Sequence, residues 1–288
     1  MLCEKPLANT VAEAKAMAAA ADRAAENGVR AMVGFTYRRV PAVTFARDLV
    51  AAGRIGTVRQ VRAQYLQDWL HDAEAPMTWR LDKSLAGSGS LGDIGAHAID
   101  LAQFITGSQL TSVSGVLETL VAERPLLADA RGLSGTASDE RGQVTVDDVA
   151  LFTGRFDDGV LGSFEATRFA TGRKNALRIE VSGSTGALAF DLEDLNALQF
   201  FDGTADPATQ GFTKILVTEP EHPYVAAWWP AGHMLGYEHG FSHQARDFVE
   251  AIVAGEQPRP SFTDGLQVQR VLDAVEQSSG NGSAWTAV

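Results

Sequence analysis

A chain of 288 residues with 45% hydrophobic and 21% charged residues has enough length and apolar content for one large or two ordinary folded domains. Its net charge of −12 argues against nucleic acid or an anionic membrane as a partner, and no apolar run approaches the roughly 18 residues of a membrane span. Cys3 stands alone, excluding an internal disulfide and a cysteine-built zinc site; with no leader-like start, the expected location is cytoplasmic.

Met1 to Leu7 reads as the end of a strand that runs into a turn at Pro6. Asn9 or Thr10 then caps an alanine-rich helix over residues 11–26, which stops at Asn27-Gly28. Ala31 to Phe35 is a short buried strand, so the start of the chain is one strand–helix–strand unit, the repeating piece of a parallel sheet. Standing alone, it looks like the closing piece of a doubly wound domain. Pro41 opens a second helix, over residues 41–52, and Gly53 ends it. From Val58 to Trp69 the pattern alternates, with Val61, Ala63, Tyr65, Gln67 and Trp69 on one face. Such a face suits a sugar-binding wall, or equally a sheet face with a solvated end.

The stretch Gly87 to Phe104 stands out. A glycine-rich run gives way to a helical pattern, with Ile94, Ala98, Leu101 and Ile105 as the packing stripe. Asp93, His97, Asp100 and Phe104 share the same spacing on a neighbouring face. An acid and an imidazole one turn apart can act on one substrate atom; equally, Asp93 could be an N-cap and His97 a satisfied core histidine. Gly87-Ser-Gly-Ser-Leu-Gly92 matches the dinucleotide fingerprint G-x-G-x-x-G, but no β-run precedes it and no acid lies in Thr111 to Leu117. The match is expected to be a decoy.

Beyond this helix, strands are predicted over residues 111–120, 144–156, 160–169, 177–183, 186–191, 196–201 and 213–218, with a hairpin turn at Asp157-Asp158-Gly159. Residues 122–143 read as a long mobile loop, and 219–236, with Trp228, Trp229, His222 and His233, as an ordered loop near a ligand or interface. Two helices close the chain. One covers 237–254 with Phe241, Ala245, Phe248 and Ile252 inward; the other covers 264–278 with Val268, Val271, Leu272 and Val275 inward.

Three separated stretches resemble the Gfo/Idh/MocA oxidoreductases: Glu4-Lys5-Pro6 followed by Gly34-Phe-Thr-Tyr37-Arg38-Arg39; Gly92-Asp93-Ile-Gly-Ala-His97 with Asp100; and the late helix after Ser261-Phe-Thr-Asp264-Gly265. Tyr37, Gln67, Trp79-Arg80 and the Asp93/His97 pair are most similar to the family's sugar, anhydrosugar and inositol dehydrogenases. The resemblance implies an α/β (α+β) fold: a Rossmann domain for NAD or NADP, then a substrate domain on a large open, mostly antiparallel sheet. It divides this chain into a truncated nucleotide-binding remnant (1–36), a substrate and oligomerisation domain (37–262) and a C-terminal helix and tail packing back toward the remnant (263–288). Members carry a longer segment ahead of Glu-Lys-Pro, with the true glycine-rich turn, so the chain is expected to be N-terminally truncated. The resemblance also implies a sugar or polyol substrate and a homo-oligomer, dimer or tetramer, formed through the open sheet. Lys5 and His97 would face the nicotinamide and the reacting hydroxyl.

Chemically, His97 is the expected base, Lys5 would stabilise charge on the alcohol oxygen or share the proton relay, and Asp93 would orient hydroxyls or hold His97 in its tautomer. Tyr37, Gln67, Trp69 and Arg80 are the substrate-binding candidates; Glu4, Lys5, Pro6, Arg38, Trp79 and Arg80 are the cofactor-binding ones. Lys5 by itself could be an ordinary surface lysine. A different class stays open: His239 and His243 at i,i+4, with His233 or Glu238, could ligate a metal in a hydrolase, isomerase or lyase. A third reading is a non-catalytic substrate-domain fragment.

Overall fold

The computed structural model describes residues 1–131 and 134–288. The chain starts with the expected strand–helix–strand unit: β1 (Leu2–Cys3), α1 (Val11–Ala25) and β2 (Met32–Val33). The two strands run parallel, Leu2 opposite Met32 and Cys3 opposite Val33. Thr10, not Asn9, is the cap. Its hydroxyl accepts the Glu13 N–H at 3.2 Å, while the Glu13 carboxylate accepts the Thr10 N–H at 3.0 Å, so two orphan donors are satisfied together. A tight turn at Thr36–Arg39 leads into α2 (Pro41–Ala51), with Pro41 in its first turn, where a missing N–H costs nothing.

Next come β3 (Val58–Leu66), the single turn α3 (Lys83–Ala86), α4 (Ala96–Thr106) and β4 (Leu110–Glu118). A hairpin follows, β5 (Glu123–Arg131) with β6 (Ser134–Gln143). It replaces the loop expected over 122–143, of which residues 132–133 lie outside the described residues. Its composition hid it: the Gly, Ser, Arg and Asp that read as loop stand here in a two-stranded ribbon. The later strands are β7 (Val149–Phe156), β8 (Leu161–Thr167), β9 (Ala176–Gly183), β10 (Gly186–Asp191), β11 (Ala197–Asp202) and β12 (Thr213–Leu216). The chain ends with α5 (His239–Ala254), α6 (Phe262–Gly280) and β13 (Thr286–Ala287).

Nine strands form one sheet in the order β12-β11-β10-β9-β3-β8-β7-β4-β13. Every neighbouring pair is antiparallel except β3 and β8 at its centre. This is the large, mostly antiparallel sheet that was expected. Alternation sets its two faces: along β7, Ala150, Phe152, Gly154 and Phe156 are buried while Leu151, Thr153 and Arg155 are exposed. The buried face packs beneath α2, α4 and α6, in one core that includes Val61, Ala63, Phe164, Ile179 and Val181.

Two expectations fail locally. The strand predicted to start at residue 144 starts at Val149, because Val144 and Val146 are drawn into a small separate core with Leu70 and Leu81. In α5 the apolar stripe does not point inward: Phe241 and Ile252 are exposed and the buried residues are Gly240, His243 and Gln244. Polar pairing decides the docking face. Gln244 Oε1 accepts the Thr36 hydroxyl at 2.8 Å, and the His243 ring reaches the Arg39 carbonyl at 3.0 Å. In α6 the four expected residues are all buried. Gly265 lets that helix close on the first unit, since a Cβ there would lie 3.0 Å from Val33 and 3.2 Å from Leu7.

Candidate active site

The glycine run ahead of α4 is shaped by one acid. Asp147 accepts the Gly89 N–H at 2.7 Å on one carboxylate oxygen, and the Leu91 N–H at 2.7 Å and the Ser90 hydroxyl at 2.8 Å on the other. A Cβ on Gly89 would lie 1.8 Å from the Asp147 carbonyl oxygen, so only glycine fits. The amides that a bound phosphate would need are already taken by the protein's own carboxylate. The fingerprint match is indeed a decoy.

A wide π-type turn, Leu91–Gly95, then leads into α4. Asp93 lies inside this turn and caps nothing; such turns cluster at functional sites. It and His97 meet Lys5, which the end of β1 delivers from the far end of the sequence. All three line one cavity of ≈ 230 Å³, with Glu4, Thr36, Tyr37, Tyr65, Gln67, Tyr237 and Phe241 among the other walls. The Lys5 ammonium donates to the Asp93 carbonyl oxygen and lies 3.6 Å from its carboxylate. A buried arginine, Arg168, lies 3.5 Å from the other carboxylate oxygen.

Burial governs the electrostatics. It pushes the Lys5 ammonium down from the ordinary lysine value, against the opposing pull of Asp93. It also drives His97 well below the ordinary histidine value, with the Lys5 charge acting the same way. The ring packs at 4.5 Å centroid distance from Tyr37, and its Nδ1 is buried without a hydrogen-bond partner. Burial therefore favours the neutral form of the His97 ring.

One wall is a chain of hydrogen bonds. Tyr237 and Tyr37 hydroxyls meet at 3.0 Å, Tyr37 and Tyr65 at 2.6 Å, and Tyr65 donates to Asn175 Oδ1 at 2.7 Å. Gln67 donates to the same Asn175 oxygen at 2.8 Å and accepts the Trp69 indole N–H at 2.9 Å. Burial raises the Tyr37 and Tyr65 phenols, so both stay protonated donors.

Other expected site residues fall outside the cavity wall. β3 stops at Leu66, so Trp69 stands in the loop beyond it, exposed and tied to the wall through Gln67, which itself lines the cavity. Trp79 is exposed with the Arg80 guanidinium 4.5 Å above its ring, and Arg80 is close enough to depress Lys5. Pro6 is half-buried next to Lys5. Arg38, expected at the cofactor, is instead held by Asp100 at 2.6 and 2.9 Å and stacks on Phe104. The second half of the polar stripe, Asp100 and Phe104, thus serves Arg38 rather than the cavity.

The metal reading fails on donor chemistry. His243 Nε2 accepts the Trp228 indole N–H at 2.7 Å while its Nδ1 faces the Arg39 carbonyl, and His239 Nδ1 accepts the Gly236 N–H at 3.0 Å. Among the described residues no group of three or more His, Cys, Asp or Glu side chains could hold an ion. Sequence reasoning also missed residues. Arg168 lies near the end of a predicted strand with nothing to mark it, and Asn175 and Tyr237 lie in or beside turns. Tyr65 was visible only as part of the alternating face.

Residues 43–189 match the GFO/IDH/MocA C-terminal domain. The levoglucosan dehydrogenase of Pseudarthrobacter phenanthrenivorans is 40% identical over 292 residues, spanning 100% of this chain and 73% of that protein. An oxidoreductase domain protein from Kribbella flavida superposes with a TM-score of 0.95 at 67% identity, over 100% of this chain and 74% of its own. A levoglucosan dehydrogenase solved with NADH and levoglucosan superposes with a TM-score of 0.90 at 39% identity, over 100% and 73% of the two chains. The chain therefore belongs to the Gfo/Idh/MocA family. Its class is that of the NAD(P)-dependent sugar and polyol dehydrogenases. The chain spans about three quarters of the length of these relatives.

Proposed function

We propose that the Lys5–Asp93–His97 cavity oxidises one secondary hydroxyl of a sugar, anhydrosugar or polyol. The observation that carries this is the meeting of those three groups, from two distant parts of the chain, with hydroxyl-binding side chains on one small cavity. The similar enzymes named for levoglucosan make a 1,6-anhydrosugar the first substrate to try.

The residues present fit one end of a nicotinamide cofactor. The orphaned His97 Nδ1 and the bare Gly34 backbone, where a Cβ would meet Cys3 and Glu4, leave a polar recess at Lys5. They do not fit the pyrophosphate: β1 runs into α1 through Glu4–Thr10 without glycine, and the Gly89, Ser90 and Leu91 amides belong to Asp147. When bound, NAD or NADP supplies the hydride acceptor.

The chain's own part is proton removal and alignment. As pH rises through the depressed Lys5 value, the ammonium becomes an amine able to take the hydroxyl proton. Neutral His97 offers a second acceptor and holds the reacting oxygen. Asp93, Tyr37 and Gln67 bind further hydroxyls, and exposed Trp69, tied to Gln67, and Trp79 suit an apolar sugar face. Phe35, Tyr37 and Tyr65 pack around the His97 ring and shield it from water.

The remainder of the reading is organisational. Residues 1–36 close a nucleotide-binding unit, 37–262 carry substrate and self-association, and 263–288 fasten the two. The open sheet face, with Arg62–Glu180 and Arg178–Asp191 pairs around a hollow of ≈ 600 Å³, supports self-association there. No described helix is long and apolar enough to cross a membrane; we infer a cytoplasmic enzyme. The test is reduction of NAD+ or NADP+, at millimolar cofactor, with levoglucosan, glucose, xylose and inositol in turn. Cofactor reduction with any of these supports the reading. A full panel without reduction, by folded protein, would contradict it.

A further inference from the structure

The Asp93 carboxylate stands between two cations and closes on neither. Its oxygens lie 3.6 Å from the Lys5 nitrogen and 3.5 Å from Arg168 Nη1, whereas charge-assisted N–H···O pairs normally settle at about 2.7–2.9 Å. The three groups differ in freedom. Asp93 is partly open to the cleft at 32% side-chain exposure, Lys5 retains 16%, and Arg168 has 1%. Arg168 is fixed by more than burial: its Nη2 donates to the Asp147 carbonyl at 3.3 Å, and its guanidinium lies 5.3 Å from the centre of the Trp69 ring. Asp147 is also the residue whose carboxylate ties down Gly89, Ser90 and Leu91 ahead of the π-type turn. One rigid corner therefore supports the turn that carries Asp93, the cation that faces its side chain and the tryptophan at the rim.

We propose that Arg168 is a positioning residue that holds the Asp93 carboxylate in this shared place, so that Lys5 keeps its nitrogen free of a contact ion pair. A flexible carboxylate beside a single ammonium would close on it, stabilise the charged form and take the nitrogen away from a substrate oxygen. With Arg168 present, Asp93 divides itself between two charges and presents its remaining acceptor capacity to the cleft. A guanidinium suits the task because it stays protonated when buried and its planar fork serves the Asp147 carbonyl and Asp93 together. The proposal rests on the reading of Lys5 and Asp93 as reacting and binding groups, but its test needs neither substrate nor cofactor.

Charged and titratable groups around Lys5 are Glu4 on its own segment, Asp93 from the turn, His97 from α4 and Arg80 in the tight turn Trp79–Leu81. Those around Arg168 are Asp93, Asp147, Asp148 and Arg124. The chain has five lysines, Lys5, Lys15, Lys83, Lys174 and Lys214, so carbon-13 labelling of lysine gives few signals, and Lys5→Met identifies the one required. Its titration is followed in the whole 288-residue chain. In Arg168→Met and Arg168→Gln the Lys5 midpoint should rise by about one pH unit, as Asp93 closes on the ammonium. Arg168→Lys, which restores a cation, should recover at least half of that shift.

The same substitutions in an Asp93→Asn background separate positioning from a direct field. If Arg168 acts through Asp93, the upward shift should fall to less than half. A Lys5 midpoint unmoved or lowered in either neutral variant that folds would overturn the proposal, as would a full shift persisting without the Asp93 carboxylate. Normal sugar oxidation by Lys5→Met would instead remove the catalytic reading of Lys5 and leave the titration result intact.

Discussion

Burial acts in the same direction on both basic groups of the cleft, driving protons off Lys5 and His97. For activity this sets a sign. The rate of hydroxyl oxidation should climb with pH through the depressed Lys5 value, and Lys5→Met should abolish that limb rather than displace it. For stability the sign is also fixed. Unfolded His97 takes up a proton below about pH 6.5 while the folded, buried ring resists it. The unfolded state then binds more protons, so stability is full above that pH and is lost as pH falls, by at most about 1.4 kcal/mol per pH unit for one group. His243, also depressed by burial, contributes in the same sense. Urea unfolding at pH 7.5 and 5.5 should show a smaller difference for His97→Phe than for the parent protein. An unchanged difference would mean that His97 is not buried in its neutral form.

Around the site, the strongest test of the architecture is Asp147. Its carboxylate accepts two backbone N–H groups and a hydroxyl from the loop that feeds α4, and leaving such buried donors unpaired costs about 1–3 kcal/mol each before relaxation. Asp147→Ala should lower the thermal midpoint and weaken sugar binding together; thermal melts and calorimetric titration with the sugar that proves active check both. A midpoint equal to the parent's would show that the loop is held by something else. The helix with His97, and the turn with Asp93 that leads into it, were legible because their apolar stripe repeats at helical spacing, and Thr10, Pro41 and the Asp157–Gly159 turn were legible from local chemistry. What holds the loop was not, because Asp147 lies 58 residues from Gly89 and no local pattern links them. The facing of α5 was misread for a related reason: two long-range polar bonds, from Thr36 and Arg39, outweighed its apolar stripe.

Across the whole molecule, the order of motifs made the fold class readable, whereas strand order did not follow from chain order: β3 sits between β8 and β9, far from its neighbours in sequence. Lys5, Asp93 and His97 were found from motifs, but Arg168 and Asn175 reach the cleft only through that pairing, and Tyr237 only through the docking of α5. The exposed sheet face should hold copies of the chain together, so light scattering at micromolar concentration should give more than the 30.7 kDa of one chain; a strict monomer would contradict this. Cofactor affinity should be weak, because the described residues offer a recess for the nicotinamide end and no free amide cradle for the phosphates. Calorimetry showing micromolar NAD(P) binding by these 288 residues would place phosphate contacts somewhere unrecognised.

The central claim, that this cleft removes a proton from a sugar hydroxyl, is tested most directly by the rate of cofactor reduction in parent, Lys5→Met, His97→Ala and Tyr37→Phe proteins, at saturating sugar and the same millimolar cofactor. Loss of the proton-accepting groups should lower the rate in Lys5→Met and His97→Ala by about 10²–10⁴-fold. Combining those two should cost less than the product of the single losses, since they share one oxygen, and Tyr37→Phe should mainly raise KM for the sugar. Near-parental rates in both Lys5→Met and His97→Ala would contradict the account.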